Sequence, residues 1–169
     1  EALIKDHLLC RHFINGPSLW KLPQPRMSDH KYSRGSAVMI GSSSMTGAIS
    51  LASQAARQVG AGVLYIIAPD KTRHLYMIGA PGNIFLALES TDMVEIFKSQ
   101  FKSQYRVATL IGPGCEAGNT VRRYVQTVLK YSGSVVLDAG AITSFEKNPS
   151  NLFSFINSST SSVVMTPHE

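Results

Sequence analysis

Apolar residues in this chain fall into short runs punctuated by glycine, proline and serine, and the runs alternate with stretches of helical spacing. Ser36 to Ile40 (SAVMI) and Val63 to Ala68 (VLYIIA) are continuous apolar runs of strand length, the pattern of strands buried on both faces. Between them, small and apolar residues recur at Ala48, Leu51, Ala52, Ala55, Ala56 and Val59. That spacing predicts a helix with those positions inward, stopped by Gly60 and Gly62. Asn83 to Leu88 fits a further strand, and Thr91 to Gln104 a helix with Met93, Ile96 and Phe97 inward. Arg106 to Ile111 predicts a strand broken by Gly112-Pro113-Gly114. A helix opening at Gly118 or Asn119 carries Val121, Tyr124, Val125, Val128 and Leu129 on one face. Ser134 to Leu137 is a strand ending at Asp138; Leu152, Phe153 and Ile156 fit a short helix; Ser162 to Met165 is a last strand reaching Thr166-Pro167-His168.

Strands and helices that alternate at crossover length predict an α/β fold: a doubly wound, mostly parallel sheet with helices on both faces. Residues 1–29 stand apart as a linker or arm. Pro17 to Pro25 holds three prolines in nine residues, which excludes a regular helix or an inner strand. Leu19, Trp20 and Leu22 are the expected anchors of this arm. His30 and Lys31 precede the first strand and belong at the edge opposite the strand tips. His7, His12 and His74 show no ligand spacing.

Composition narrows the class. Of 169 residues, 44% are hydrophobic and 16% charged, which excludes an intrinsically disordered chain. No apolar run approaches membrane-spanning length, so no membrane helix is expected. Residue 1 is Glu rather than Met, so a natural start is expected upstream. Residues 1–35 carry six basic and three acidic side chains, and residues 36–169 ten and eight. The positive excess is spread too thinly for a nucleic-acid stripe, although its sign favours an anionic small molecule. Cys10 and Cys115 suggest reduced thiols and a cytoplasmic protein.

Parallel α/β sheets bind ligands beyond the C-terminal ends of their strands, and four unusual loops occupy such ends here. Gly41-Ser42-Ser43-Ser44-Met45-Thr46-Gly47-Ala48 combines glycines, hydroxyls and a helix start, which suit an anion. It is neither a Walker A loop nor a GxGxxG fingerprint, and a plain packing turn remains open. Gly112-Pro113-Gly114-Cys115-Glu116 presents backbone, either to a ligand or as a simple break. Cys115 has no base paired with it in the sequence, so a small, half-buried role stands beside a nucleophilic one. Asp138 fits a metal ion, a hydroxyl or a helix cap. His168, after Thr166-Pro167, is open between a structural and a functional role.

Taken in order, these loops resemble the C-terminal, ribokinase-like domain of the NAD(P)H-hydrate dehydratase family, often described as a carbohydrate kinase. The matching pieces are His30 to Gly35, Gly41 to Ala48 with the following helix, Gly60-Ala61-Gly62, Ile111 to Gly114, Leu137 to Ala141 and Thr166-Pro167-His168. Together they make residues 30–169 the first part of a three-layer α/β/α ribokinase-like domain.

The resemblance implies repair of hydrated NADH or NADPH: ADP, ahead of ATP, phosphorylates the ring hydroxyl with Mg2+, and loss of phosphate restores the reduced cofactor. It further implies that Gly47, Ala48, Gly114 and His168 contact the hydrated dinucleotide, that Asp138 lies near the phosphates or their metal, and that the protein is a homo-oligomer. Departures from the pattern are Gly41-Ser42-Ser43 in place of Gly-Gly-Ser, and Cys115-Glu116 in place of Leu-Gly. An anion at Glu116 is expected to weaken binding. The family's Lys-Gly strand and its Gly-Thr-Gly-Asp loop, with the catalytic Asp, would follow Glu169, so the sequence holds the dinucleotide half of a site. A last strand near Val164 is therefore expected to leave an unpaired edge, and the 169-residue piece to be marginally stable and prone to associate. Three other readings stand beside this one: a non-catalytic remnant or binding module of the same fold, a ribokinase-like kinase for a vitamin precursor, and a redox role for Cys115.

Overall fold

Val38, Ile40, Ile66, Ile67 and Ile111 are almost wholly buried, because the strands that carry them lie at the centre of a sheet sandwiched between helices. A computed structural model describes residues 16–88, 92–101 and 106–168. The predicted features at Cys10, His7, His12, Thr91, Gln104 and Glu169 lie outside the described residues.

The elements follow in the order β1 (Ser36–Ile40), α1 (Thr46–Gln58), β2 (Val63–Ala68), a 3-10 turn (Asp70–Thr72), α2 (Arg73–Gly79) and β3 (Ile84–Ala87). Next come α3 (Met93–Gln100), β4 (Val107–Ile111), α4 (Asn119–Tyr131), β5 (Ser134–Asp138), α5 (Gly140–Thr143), α6 (Pro149–Asn157) and β6 (Ser162–Thr166). The six strands run in the order β3-β2-β1-β4-β5-β6, all parallel. The sequence runs outward from β1 to one edge and then restarts at β4 on its other side. This reversal puts a topological switch point between β1 and β4, where open α/β sheets form their ligand crevice.

Two cores flank the sheet. On one face Met39, Leu64, Ile66 and Ala68 pack against Ile49 of α1 and Tyr76 of α2. On the other, Val38, Ile40, Val107, Ile111, Val135 and Leu137 pack against α3, α4 and α6 through Phe97, Val125, Val128 and Leu152. The α1 and α2 layer lies over β1–β3. Beyond it, Ala108 of the central strand β4 is exposed, Leu110 and Val136 are half-buried, and Val164 on the edge strand β6 is 56% exposed. The exposed edge expected near Val164 is therefore present.

Two expectations need correction. The buried line of α1 runs through Ile49 and Ser53 with Ala52 and Ala56, while Leu51 and Val59 are 68% and 63% exposed. Small side chains let the helix lie close to the sheet, and this rotates the larger ones outward. The short helix expected around Leu152, Phe153 and Ile156 is present as α6, with Leu152 buried and Phe153 53% exposed. In the arm, Leu19, Trp20 and Leu22 stay half exposed and are not buried anchors. The His30–Arg34 turn abuts Gly62, and the Gly35 carbonyl accepts from Gly62 and Val63. It therefore lies at the N-terminal edge of the sheet, away from the strand tips, as expected.

Candidate functional site

The turns at the C-terminal ends of β1, β4, β5 and β6 touch one another in sequence. After β1 the Gly41 amide still bonds to the Ile67 carbonyl, at 2.9 Å, and the chain then leaves the sheet. The Ser42 hydroxyl donates to the Gly114 carbonyl, and the Ser44 hydroxyl donates to the same oxygen at 3.3 Å. These bonds cross the switch point. Gly114 has φ +71°, and a Cβ on it would lie 2.7 Å from the Met45 carbonyl. Gly112, at φ +122°, has room only for hydrogen, because a Cβ would overlap the Asp138 carbonyl. Gly140 is pressed in the same way against the Cys115 carbonyl. Asp138 in turn accepts from the Thr166 hydroxyl at 2.7 Å. Glycines thus let the β1, β4 and β5 turns close on one another, and the Asp138–Thr166 bond joins the end of β6 to them.

Beside this surface a cleft of about 380 Å3 opens, lined by Gly41 to Ser44, Pro69, Leu88, Cys115 to Val121 and Tyr124. One wall is the start of α4, whose first turn carries no acidic residue. Its free amides and positive end favour an anion over a cation, and Glu116 on the same wall opposes them with a negative charge. The larger cavity, about 550 Å3, lies in the groove between α3 and α4, walled by outward side chains such as Lys98, Arg123 and Lys130. It shares Leu88 and Tyr124 with the 380 Å3 cleft and extends from there along the two helices.

Gly114 is drawn against Ser42, Ser44 and Met45, and Gly47 stands two residues beyond Met45, exposed, with nothing within 4 Å of a built Cβ. Ala48 follows, half-buried. Asp138 joins Thr166, and His168 is exposed two residues further on. None of Gly47, Ala48, Gly114, Asp138 and His168 lines the 380 Å3 cleft; its lining adds Leu88, Ala117 to Thr120 and Tyr124, which the sequence did not mark as site residues. Their signal was weak, since a helix start without a charged cap reads as an ordinary element boundary.

Cys115 is a free thiol on the cleft wall. Burial pushes its pKa up, against a smaller lowering by its hydrogen bond with the Gly112 backbone. It is therefore a protonated thiol at neutral pH, the opposite of an activated nucleophile. Ala139, between Asp138 and Gly140, holds φ +37°, a non-glycine residue in the left-handed region. That strain sits at the junction of the β4 and β5 turns. Among the described residues no three His, Cys, Asp or Glu gather into a metal cluster. Mg2+ keeps most of its waters and takes one or two carboxylates together with phosphates, so a single strand-tip carboxylate such as Asp138 fits it.

Known proteins resemble this chain in sequence and in fold. The chain is 33% identical over 157 residues to the bifunctional NAD(P)H-hydrate repair enzyme Nnr of Dictyoglomus turgidum, over 85% of this chain and 28% of that one. It is 27% identical over 136 residues to the ADP-dependent (S)-NAD(P)H-hydrate dehydratase of Xanthomonas campestris pv. campestris, over 77% of this chain and 47% of that one. The chain thus spans half or less of the length of these curated relatives. A ribokinase-like superfamily protein from Enterococcus faecalis superposes with TM-score 0.66 at 25% identity, covering 87% of this chain and 50% of that one. The ADP/ATP-dependent NAD(P)H-hydrate dehydratase of Bacillus subtilis, co-crystallized with ATP/Mg2+, gives TM-score 0.58 at 30% identity, covering 72% and 43%. The family model for NAD(P)H-hydrate dehydratase matches residues 36–169, from the first strand through all four strand-tip turns, and the chain belongs to that family.

Proposed function

We propose that this chain forms the dinucleotide-binding half of an enzyme that restores NADH or NADPH from their hydrated forms, using ADP or ATP with Mg2+. The observation that carries the reading is the closure of the β1 and β4 turns across the switch point, with Ser42 and Ser44 bonded to Gly114. Main-chain amides and an uncapped helix start at such a point suit a pyrophosphate. Gly47, Ala48, Gly114 and His168 would contact the hydrated dinucleotide, and Asp138 would hold the metal or lie near the phosphates. Among the described residues no helix is long and apolar enough to cross a membrane, and the free Cys115 thiol supports a cytoplasmic location.

The chemistry balances in two steps. The hydroxyl on the hydrated ring attacks the terminal phosphorus of the nucleotide. An O–P bond forms, the bond to the leaving AMP (from ADP) or ADP (from ATP) breaks, and the hydroxyl proton is lost. The ring C–O bond then breaks with departure of phosphate and loss of a ring proton, regenerating the C=C bond. Bound Mg2+ supplies charge neutralisation for the transferred group. The residues of this chain bind and orient the dinucleotide.

Incubating the full-length protein with hydrated NADH, Mg2+ and either ADP or ATP, while following the absorbance of reduced nicotinamide, tests the proposal. Recovery with release of one phosphate per NADH is expected. Phosphorylation of hydroxymethylpyrimidine or hydroxyethylthiazole with no such recovery would assign the protein to a vitamin-precursor kinase instead.

A further inference from the structure

Tyr76 is 1% exposed, among Met39, Ile49, Leu64 and Ile66, where phenylalanine would pack equally well. Its hydroxyl is what sets it apart. The Ser42 amide donates to that oxygen at 3.1 Å, and the hydroxyl donates back to the Ser42 carbonyl at 2.9 Å. One phenol thus satisfies both main-chain groups of the first residue to leave the β1 ladder. The same ring bears on Gly41, where a Cβ would lie 2.6 Å from the hydroxyl. Ser42 passes the constraint on. Its hydroxyl donates to the Gly114 carbonyl and accepts from the Ser44 and Met45 amides, each at 3.4 Å.

We propose that Tyr76 and Ser42 are positioning residues: together they clamp the β1 turn to the β4 turn and so fix the width of the switch-point crevice. Tyr76 comes from α2, anchored in the core, and is not itself among the residues that line the 380 Å3 cleft, but it holds two that are, Gly41 and Ser42. It acts through Ser42. A buried anchor suits this task because its ring cannot swing: moving it would open a cavity in the α1–α2 core. Ser42 supplies a side chain that reaches the opposite turn, so the two turns are joined before any ligand binds. The consequence for affinity rests on the dinucleotide reading given above; the clamp itself does not.

The test uses Tyr76→Phe and Ser42→Ala in the full-length protein, with two separate readouts. Amide hydrogen exchange of segments 41–47 and 112–116 reads the clamp without any ligand. Both variants are expected to exchange at least tenfold faster in both segments while exchange in β2 and α4 stays unchanged. Acceleration confined to 41–47, or none, would overturn the clamp. Steady-state kinetics with hydrated NADH reads its effect on function: KM is expected to rise about tenfold, the worth of one net hydrogen bond, with kcat changed less than twofold. Faster exchange with KM unchanged would reduce the two residues to a structural role. A wild-type protein that does not act on hydrated NADH would defeat the functional proposal, and the exchange data would still decide the clamp.

Discussion

Gly47 and Gly114 are both candidate dinucleotide contacts, yet adding one methyl group to each should shift stability in opposite directions. At Gly114 the backbone is left-handed, φ +71°, which costs an alanine about 1–2 kcal/mol. The new Cβ would lie 2.7 Å from the Met45 carbonyl and 2.8 Å from the Met45 Cβ, closer than the ordinary contact of about 3.5–4.0 Å. Relief requires the two turns to part by most of an ångström, which stretches both serine hydroxyl bonds to the Gly114 carbonyl. Each is worth about 0.5–1.5 kcal/mol. Gly114→Ala is therefore expected to lose about 2–5 kcal/mol, a large share of a typical total of about 5–15 kcal/mol. At Gly47 a Cβ meets nothing within 4 Å, and the position lies in the first turn of α1. Gly47→Ala is expected to be neutral or to gain up to about 1 kcal/mol from helix propensity. Urea unfolding at one temperature measures both, with the slope m required to stay constant. If main chain at both sites faces the dinucleotide, both variants weaken its binding by tenfold or more, so Gly47→Ala yields a protein at least as stable that binds worse. A Gly114→Ala protein within about 0.5 kcal/mol of wild type, a conservative threshold for an ordinary surface change, would refute the packing argument. A Gly47→Ala protein with unchanged affinity would refute the ligand assignment.

Three further outcomes follow from the same structure. Val164→Lys, on the edge strand at a side chain already 56% exposed, should reduce self-association of the 169-residue chain in sedimentation velocity with little loss of stability; a wild-type chain that is monomeric and melts cooperatively contradicts this. Burial pushes the Tyr76 pKa up to about 12 from 10.0, partly offset by the Ser42 backbone hydrogen bond. Its neutral form is favoured in the folded state, so the stabilisation is complete below pH 10 and declines as the pH rises toward 12, by roughly 1–3 kcal/mol; the Tyr76→Phe difference curve should be flat below pH 10 and change only above it. Asp138→Asn keeps an acceptor for the Thr166 hydroxyl, so stability should hold within about 0.5 kcal/mol while the Mg2+ requirement of the full-length protein rises at least tenfold; an unchanged Mg2+ titration removes Asp138 from the metal.

Much of the fold was legible because parallel strands buried on both faces announce themselves as apolar runs. The first two strands were read at their observed bounds, and Met93, Ile96 and Phe97 on α3 and Val121, Val125, Val128 and Leu129 on α4 are buried as read. The α1 face was misread because its inner line includes Ser53, a buried polar residue that satisfies its own hydroxyl on the Ser50 carbonyl at 2.8 Å. Thr72 does the same with the Pro69 carbonyl at 2.6 Å, and with α2 only seven residues long the segment after β2 offered no helical period to detect. The site was legible as a set of strand-tip turns. Their mutual contacts were not. Gly112 against Asp138, Gly140 against Cys115 and Ser42 against Gly114 join residues far apart in the chain, and no local pattern encodes such neighbours. Tyr76 was missed for the same reason: a tyrosine in a short helix carries no mark of the loop it holds.

The most direct check on the account is amide chemical-shift mapping of the chain titrated with hydrated NADH. Perturbations are expected to gather at Gly41 to Ala48, Gly112 to Glu116, Asp138 to Gly140 and Thr166 to His168, saturating together with one affinity. Shifts confined to the groove between α3 and α4, or scattered over both faces of the sheet with different affinities, would contradict a single dinucleotide site at the strand tips.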